Sequence, residues 1–185
     1  AGWHATSAEE ADAIRACGFR QPICIAPPGA DVPTSAALDA ARAWWHRAHP
    51  VLASRPVALC TAPLSRRSRL RELIDLWGAA NTGDWLLLIV GPSCGESPAA
   101  LAAHAAHRGV ADRVLVSLPG ELPPHAAAHL FLGTSRSDTD LTNVASALAA
   151  GLPALVAADA PWSRLTEDHA GWCVPWKEFA PALRI

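Results

Sequence analysis

Short, nearly continuous apolar runs alternate with amphipathic stretches along most of this chain, and that alternation restricts the fold more than any other feature. The runs are Pro56 to Cys60, Trp85 to Val90, Arg113 to Ser117, His129 to Leu132 and Pro153 to Ala157. A strand buried on both faces needs apolar side chains at nearly every position, whereas a strand with one wet face alternates. Between the runs, Arg66 to Trp77 sets Leu70, Leu73, Ile74 and Trp77 at helical spacing, and Thr139 to Ala150 does the same for Leu141, Val144, Ala145 and Leu148. Each stretch ends at a glycine, Gly78 or Gly151, read as a helix stop. Strands that need cover on both faces, together with helices carrying one apolar stripe, specify a three-layer αβα domain with a mostly parallel sheet.

Capping residues sharpen the boundaries. Ser97-Pro98 supplies an N-cap and a first-turn proline, so the helix after the second run starts there. Near the N-terminus, Ser7 with Glu10 three residues later forms a capping box that opens a helix to about Cys17, followed by the short apolar run Ile23-Cys24-Ile25 and the turn Pro27-Pro28-Gly29. A further amphipathic segment, Ser35 to His46, leads into the sheet. Within it Trp44-Trp45 has two readings: packing against the sheet, or contact with another domain.

A chain of 185 residues, 51% hydrophobic and 17% charged, is long enough for one good core. Net charge −2 and a pI near 6.5 leave no basic field to attract nucleic acid, and no apolar stretch approaches the ~18 residues of a membrane span. The five cysteines are scattered without a C-x-x-C pair and read as reduced and mostly buried, which together with the absence of a signal-peptide pattern gives the expectation of a cytoplasmic protein. With no methionine anywhere, the chain reads as processed, cut from something longer, or designed. Among the eight histidines His104 and His107 lie three apart on a helix, and no third metal ligand accompanies them. No cofactor is expected.

Several ordered segments resemble the retaining GT-B glycosyltransferases of family four, also called group 1. His4-Ala5-Thr6-Ser7, Glu9-Glu10 and Ile14-Arg15-Ala16-Cys17-Gly18-Phe19-Arg20-Gln21-Pro22-Ile23 resemble that family's HATSxxEAxxIRxLGFxxPI, and Ala26-Pro27-Pro28-Gly29-Ala30-Asp31 resembles its IPNGVD turn. Gly91-Pro92 after a strand, Asp112-Arg113-Val114, Ala147 to Pro153, Ala160-Pro161-Trp162 and Gly171-Trp172 follow in compatible order. The resemblance implies the Rossmann-like, nucleotide-sugar-binding C-terminal half of a GT-B fold. It assigns residues 1–33 to a segment crossing between domains and 34–185 to the donor-binding domain, with the acceptor-binding N-terminal domain absent.

The same resemblance implies a site and its gaps. The family stabilises the departing diphosphate with an Arg and a Lys after the first strand of this domain. Alignment on Trp77 puts Pro63 at the Arg position and Ser68 at the Lys position, neither able to carry positive charge. The family's glutamate pair, one carboxylate near the donor sugar and one near the ribose, falls on Asp138 and Ser146. Ser137 precedes the pair, and Leu141 replaces a glycine whose bare backbone admits phosphate. Gly91 is expected in the donor crevice, as are Gly133 and Ser137, in loops at the carboxyl ends of strands. Asp138 and Asp140 also read as plain N-capping groups. Arg66, Arg67 and Arg69 lie beside the missing cations and read either as replacements for them or as a solvated charge run.

These substitutions imply a donor-binding domain that is weak or inactive, with a nucleotide-sugar donor as its ligand. A second reading is a non-catalytic binding or scaffolding domain derived from a glycosyltransferase. A third comes from Gly91-Pro92-Ser93-Cys94-Gly95, which satisfies the G-x-S-x-G pattern of a serine-hydrolase elbow, with Asp159 and His169 downstream. An elbow needs its helix to begin at the serine, and the cap at Ser97-Pro98 argues against it.

Overall fold

The computed structural model describes residues 1–27, 29–80, 82–134, 141–157, 162 and 165–183. The chain divides into two compact units, Ala1–Ala30 and Asp31–Ile185.

In the first unit, strands β1 (Trp3–Ala5) and β2 (Ile23–Ile25) pair in parallel, with Trp3 opposite Ile23, and helix α1 (Ala8–Ala16) connects them. Ser7 caps α1 as its sequence position predicts, its hydroxyl accepting the Glu10 N–H at 3.1 Å. The return half of the capping box differs. Glu10 Oε2 accepts the hydroxyl and the backbone N–H of Thr6, both at 2.6 Å, one residue before the cap. Those bonds, the hydroxyl's first, hold the Glu10 carboxyl below the usual carboxylate range. Trp3 packs on Phe19 with ring centroids 4.5 Å apart.

The second unit contains α2 (Ser35–Ala48), β3 (Val57–Thr61), α3 (Leu70–Ala79), β4 (Leu86–Val90), α4 (Pro98–His107), β5 (Val114–Ser117), β6 (Leu130–Gly133), α5 (Leu141–Ala149), β7 (Ala154–Ala157), β8 (Gly171–Val174) and α6 (Trp176–Ala182). Its six strands are all parallel, in the order β5-β4-β3-β6-β7-β8. Successive strand residues serve opposite faces. Ala58, Cys60, Leu87 and Ile89 pack with Leu70, Leu73, Ile74 and Trp77 of α3, while Val57, Leu59, Leu86 and Leu88 pack with Trp45 of α2 and Val144 and Ala147 of α5. This is the three-layer αβα sandwich expected. The strand order reverses between β3 and β6, and at such a switch point the carboxyl ends of the strands open a crevice. No helix among the described residues is long and apolar enough to cross a membrane.

Four details depart from the sequence reading. The helix expected from Arg66 begins at Leu70, because Arg66–Ser68 form a single 3-10 turn and Arg69 then adopts a left-handed conformation, φ 53°. Gly78 is no stop, since α3 runs through it to Ala79, whereas Gly151 at φ 81° does follow α5. Strand β8 carries no continuous apolar run, because an edge strand with an exposed Trp172 does not need one. Cysteine burial is also the minority: Cys17, Cys24 and Cys94 are exposed, and only Cys60 is fully buried. The tryptophan pair takes the packing reading. Trp45 is buried with its indole N–H donated to the Leu122 carbonyl at 2.8 Å, and Trp44 lies against Gly120, where a Cβ would come within 2.3 Å of the ring.

Candidate functional site

A cavity of about 420 Å³ lies at the carboxyl ends of β3 and β4. Thr61, Ala62 and Pro63 continue from β3, Val90, Gly91 and Pro92 from β4, while Asn143 in α5 and the prolines Pro119 and Pro124 with His125 complete the wall. The two loops form a hydrogen-bonded floor. Ala62 N–H donates to Val90 O at 3.1 Å, Leu64 N–H donates to Pro92 O at 2.8 Å, and Leu64 O accepts Cys94 and Glu96 N–H at 3.1 and 3.0 Å. Their closest approach explains Gly91, because a Cβ there would sit 1.8 Å from the Ala62 carbonyl oxygen. Gly91 thus follows β4 and Gly133 closes β6, both at the expected end of the sheet.

Pro63 lines this cavity and is exposed. Ser68 is 5% exposed and turned inward: its hydroxyl donates to Pro63 O at 2.7 Å and lies 3.1 Å from Ser65 Oγ, while its carbonyl accepts the Thr134 hydroxyl at 2.8 Å. Arg66 and Arg67 are exposed on the 3-10 turn and do not line the cavity. Arg69 is buried with its guanidinium 4.7 Å from the Trp176 ring centroid on α6, which corrects its reading as a replacement phosphate ligand. Among the described lining residues there is no cation. Ser137, Asp138 and Asp140 lie outside the described residues, as does the side chain of Leu141, whose backbone opens α5.

Helix α5 divides its two site positions. Ser146 lines a second, mainly apolar cavity of about 470 Å³ with Ala37, Leu38 and Ala41 of α2. Asn143, nearly one turn earlier, lines the first cavity, and its Nδ2 donates to Thr61 O at 3.1 Å, tying α5 to the end of β3. Sequence reasoning missed Asn143, since an uncharged amide in a helix carries no signal of its own. It also missed His125, which lines both cavities, stacks on Phe131 with centroids 6.2 Å apart and has a buried Nε2 with no hydrogen-bond partner among the described residues. Burial pushes the His125 pKa down to about 4, so the ring is neutral at neutral pH. Charged groups on α3 find partners on and beside α4, outside the cavity: Arg71 pairs with Glu96, and Asp75 accepts from His104 at 2.8 Å and Arg108 at 3.0 Å. No group of three metal-ligating side chains is found among the described residues.

The hydrolase constellation is not assembled. Ser93 follows β4 at the carboxyl end of the sheet, whereas His169 immediately precedes β8 at the amino end. The helix starts at Pro98 with Ser97 as its cap, the Ser97 hydroxyl accepting Ala100 N–H at 3.2 Å, and Ser93 does not have the positive φ of a strained turn residue. Asp159 lies outside the described residues.

No protein-family profile and no curated protein matches this sequence. Solved structures do match its fold. WaaG, a glycosyltransferase involved in lipopolysaccharide biosynthesis, superposes with a TM-score of 0.76 at 15% identity, over 98% of this chain and 52% of its own. Anabaena HepE in complex with UDP gives 0.73 at 17% identity over 97% and 52%, and a glycosyltransferase from Rickettsia africae gives 0.80 at 11% identity over 98% and 51%. The chain therefore spans about half the length of the structures it matches.

Proposed function

We propose that this chain, which has the fold of one half of a GT-B glycosyltransferase, is a donor-binding domain whose diphosphate site has been eroded. The nucleotide-sugar donor enters the crevice at the carboxyl ends of β3 and β4, residues 1–33 form the crossing segment, and the acceptor is held by a further domain. A solved structure of the same fold in complex with UDP supports the ligand class.

One observation carries the reading of erosion: the cavity that should hold a diphosphate has no cation among its described lining residues. A diphosphate brings about two negative charges, and each charge-assisted contact to Arg or Lys contributes ~1.5–3 kcal/mol. Losing both weakens binding by a factor on the order of a hundred or more. During transfer the same charges would stabilise the oxygen that departs from the sugar, so their loss slows chemistry as well as weakening binding. Calorimetric titration with UDP-, GDP- and ADP-sugars tests this. Binding no tighter than about millimolar is expected. Micromolar affinity that disappears in Arg67→Ala would mean that the site has been rebuilt with new cations.

A further inference from the structure

A second site stands at the opposite end of the sheet. Ala58 pairs with both Leu87 and Leu130, Leu132 with Leu155, and Leu155 with Trp172. Side chains two residues apart share a face, so this register puts Trp85, Leu130, Leu155 and Trp172 on one face of the sheet. At the amino ends of β4, β6 and β7 these side chains, with His129 and Pro153, line a cavity of about 420 Å³.

Four observations select its occupant. Trp172 is 53% exposed, in a chain whose Trp45 and Trp77 are fully buried, so a wide indole surface is open to a ligand. His129, an exposed residue, accepts the Val57 N–H on Nδ1 at 3.1 Å, which fixes the ring proton on Nε2 and makes that atom a hydrogen-bond donor. Trp85 meets His129 edge-on, with centroids 6.3 Å apart, and helps hold the imidazole in place. No Asp, Glu, Lys or Arg is among the described lining residues, so a phosphate-bearing ligand finds no counter-charge. An aromatic platform beside one oriented N–H donor suits a neutral pyranose ring: its polarised C–H face lies on the negative face of the indole, and a ring hydroxyl accepts the imidazole proton.

We propose that this cavity binds a neutral saccharide unit, independently of any nucleotide-sugar at the carboxyl ends of the strands. The test is saturation-transfer NMR on the 185-residue chain with methyl β-D-glucopyranoside and cellobiose, with adenosine as the aromatic competitor. Saturable glycoside binding is expected in the millimolar range, with the strongest transfer to the axial protons of one sugar face. Trp172→Ala should weaken it by roughly tenfold or more, Trp172→Phe should retain most of it, and Pro63→Arg should leave it unchanged. Both Trp172 variants change an exposed side chain, and circular dichroism confirms that they are folded. The proposal is overturned by the absence of saturable binding, by equal binding in folded Trp172→Ala, or by adenosine binding more tightly than either glycoside. None of those outcomes bears on UDP-sugar affinity, which reports the other end of the sheet.

Discussion

Ser68 donates its hydroxyl proton to the Pro63 carbonyl at 2.7 Å, so the two positions that the proposed function assigns to lost cations are hydrogen-bonded to each other. They are not equivalent as targets for repair. Pro63 is exposed in the cavity wall, and an arginine there gains a charge without burying one. Pro63→Arg should strengthen UDP binding about tenfold or more in calorimetry at low salt. Ser68 is buried, so Ser68→Lys removes its bond to Pro63 and forces an ammonium group into the interior, costing about 1–3 kcal/mol in urea unfolding. The double variant should therefore bind UDP more tightly and melt at lower temperature. Unchanged affinity in Pro63→Arg would remove this cavity as the diphosphate site.

Gly91 holds the crevice floor together by lacking a side chain. A Cβ at this position meets the Ala62 carbonyl oxygen at 1.8 Å and the carbonyl carbon at 2.7 Å, both backbone atoms that cannot rotate away. Gly91→Ala must separate the loops after β3 and β4, and about 2–3 kcal/mol of stability should be lost in chemical denaturation. A loss within 0.5 kcal/mol would mean that the two loops slide past each other freely.

The layers and the parallel sheet were legible because burial on both faces writes itself as runs such as Leu86 to Val90, and helix starts were legible where a side chain caps them, as at Ser7 and Ser97. The start of α3 was not legible. Arg69 takes a left-handed conformation with its guanidinium on Trp176, a contact across more than a hundred residues that no local pattern encodes. The candidate site was legible where backbone geometry demands a residue type, as at Gly91. It was hidden where only tertiary placement matters: Asn143, not Ser146, reaches the first cavity, and His125 between two cavities sits in an unremarkable proline-rich turn.

His125 should make stability depend on pH. Its folded pKa of about 4 lies below the ordinary 6.5, so the fold favours the neutral ring and the unfolded chain takes up the proton first. The contribution is fully present above pH 6.5, is lost progressively as pH falls toward 4, and changes no further below that. Its size is about 2 kcal/mol after allowance for the half-buried position of the ring. His125→Leu removes the titrating group, so denaturation midpoints measured between pH 7 and pH 4 should fall less steeply than in the parent chain. Parallel pH profiles would show that the buried ring is not the group responsible.

The G-x-S-x-G segment should be inert toward serine-hydrolase reagents. A fluorophosphonate reacts with a serine whose proton is taken by a neighbouring base, and among the described residues no histidine hydrogen-bonds to Ser93. His169 belongs to the turn before β8, which is built from Thr166 O accepting its N–H at 3.3 Å and Leu165 O accepting the Ala170 N–H at 2.9 Å. In a parallel sheet that turn and the loop after β4 are at opposite ends, so local motion does not bring the pair together. The turn also gives His169 a role in stability. At φ 54° it occupies a left-handed conformation that strains an exposed side chain, so His169→Gly should stabilise the fold by about 0.5–1 kcal/mol. Mass spectrometry after fluorophosphonate treatment should find Ser93 unlabelled in the parent chain and in His169→Gly alike. Stoichiometric labelling of Ser93 that is lost in His169→Gly would require the two loops to meet, and with them a sheet connected differently from this one.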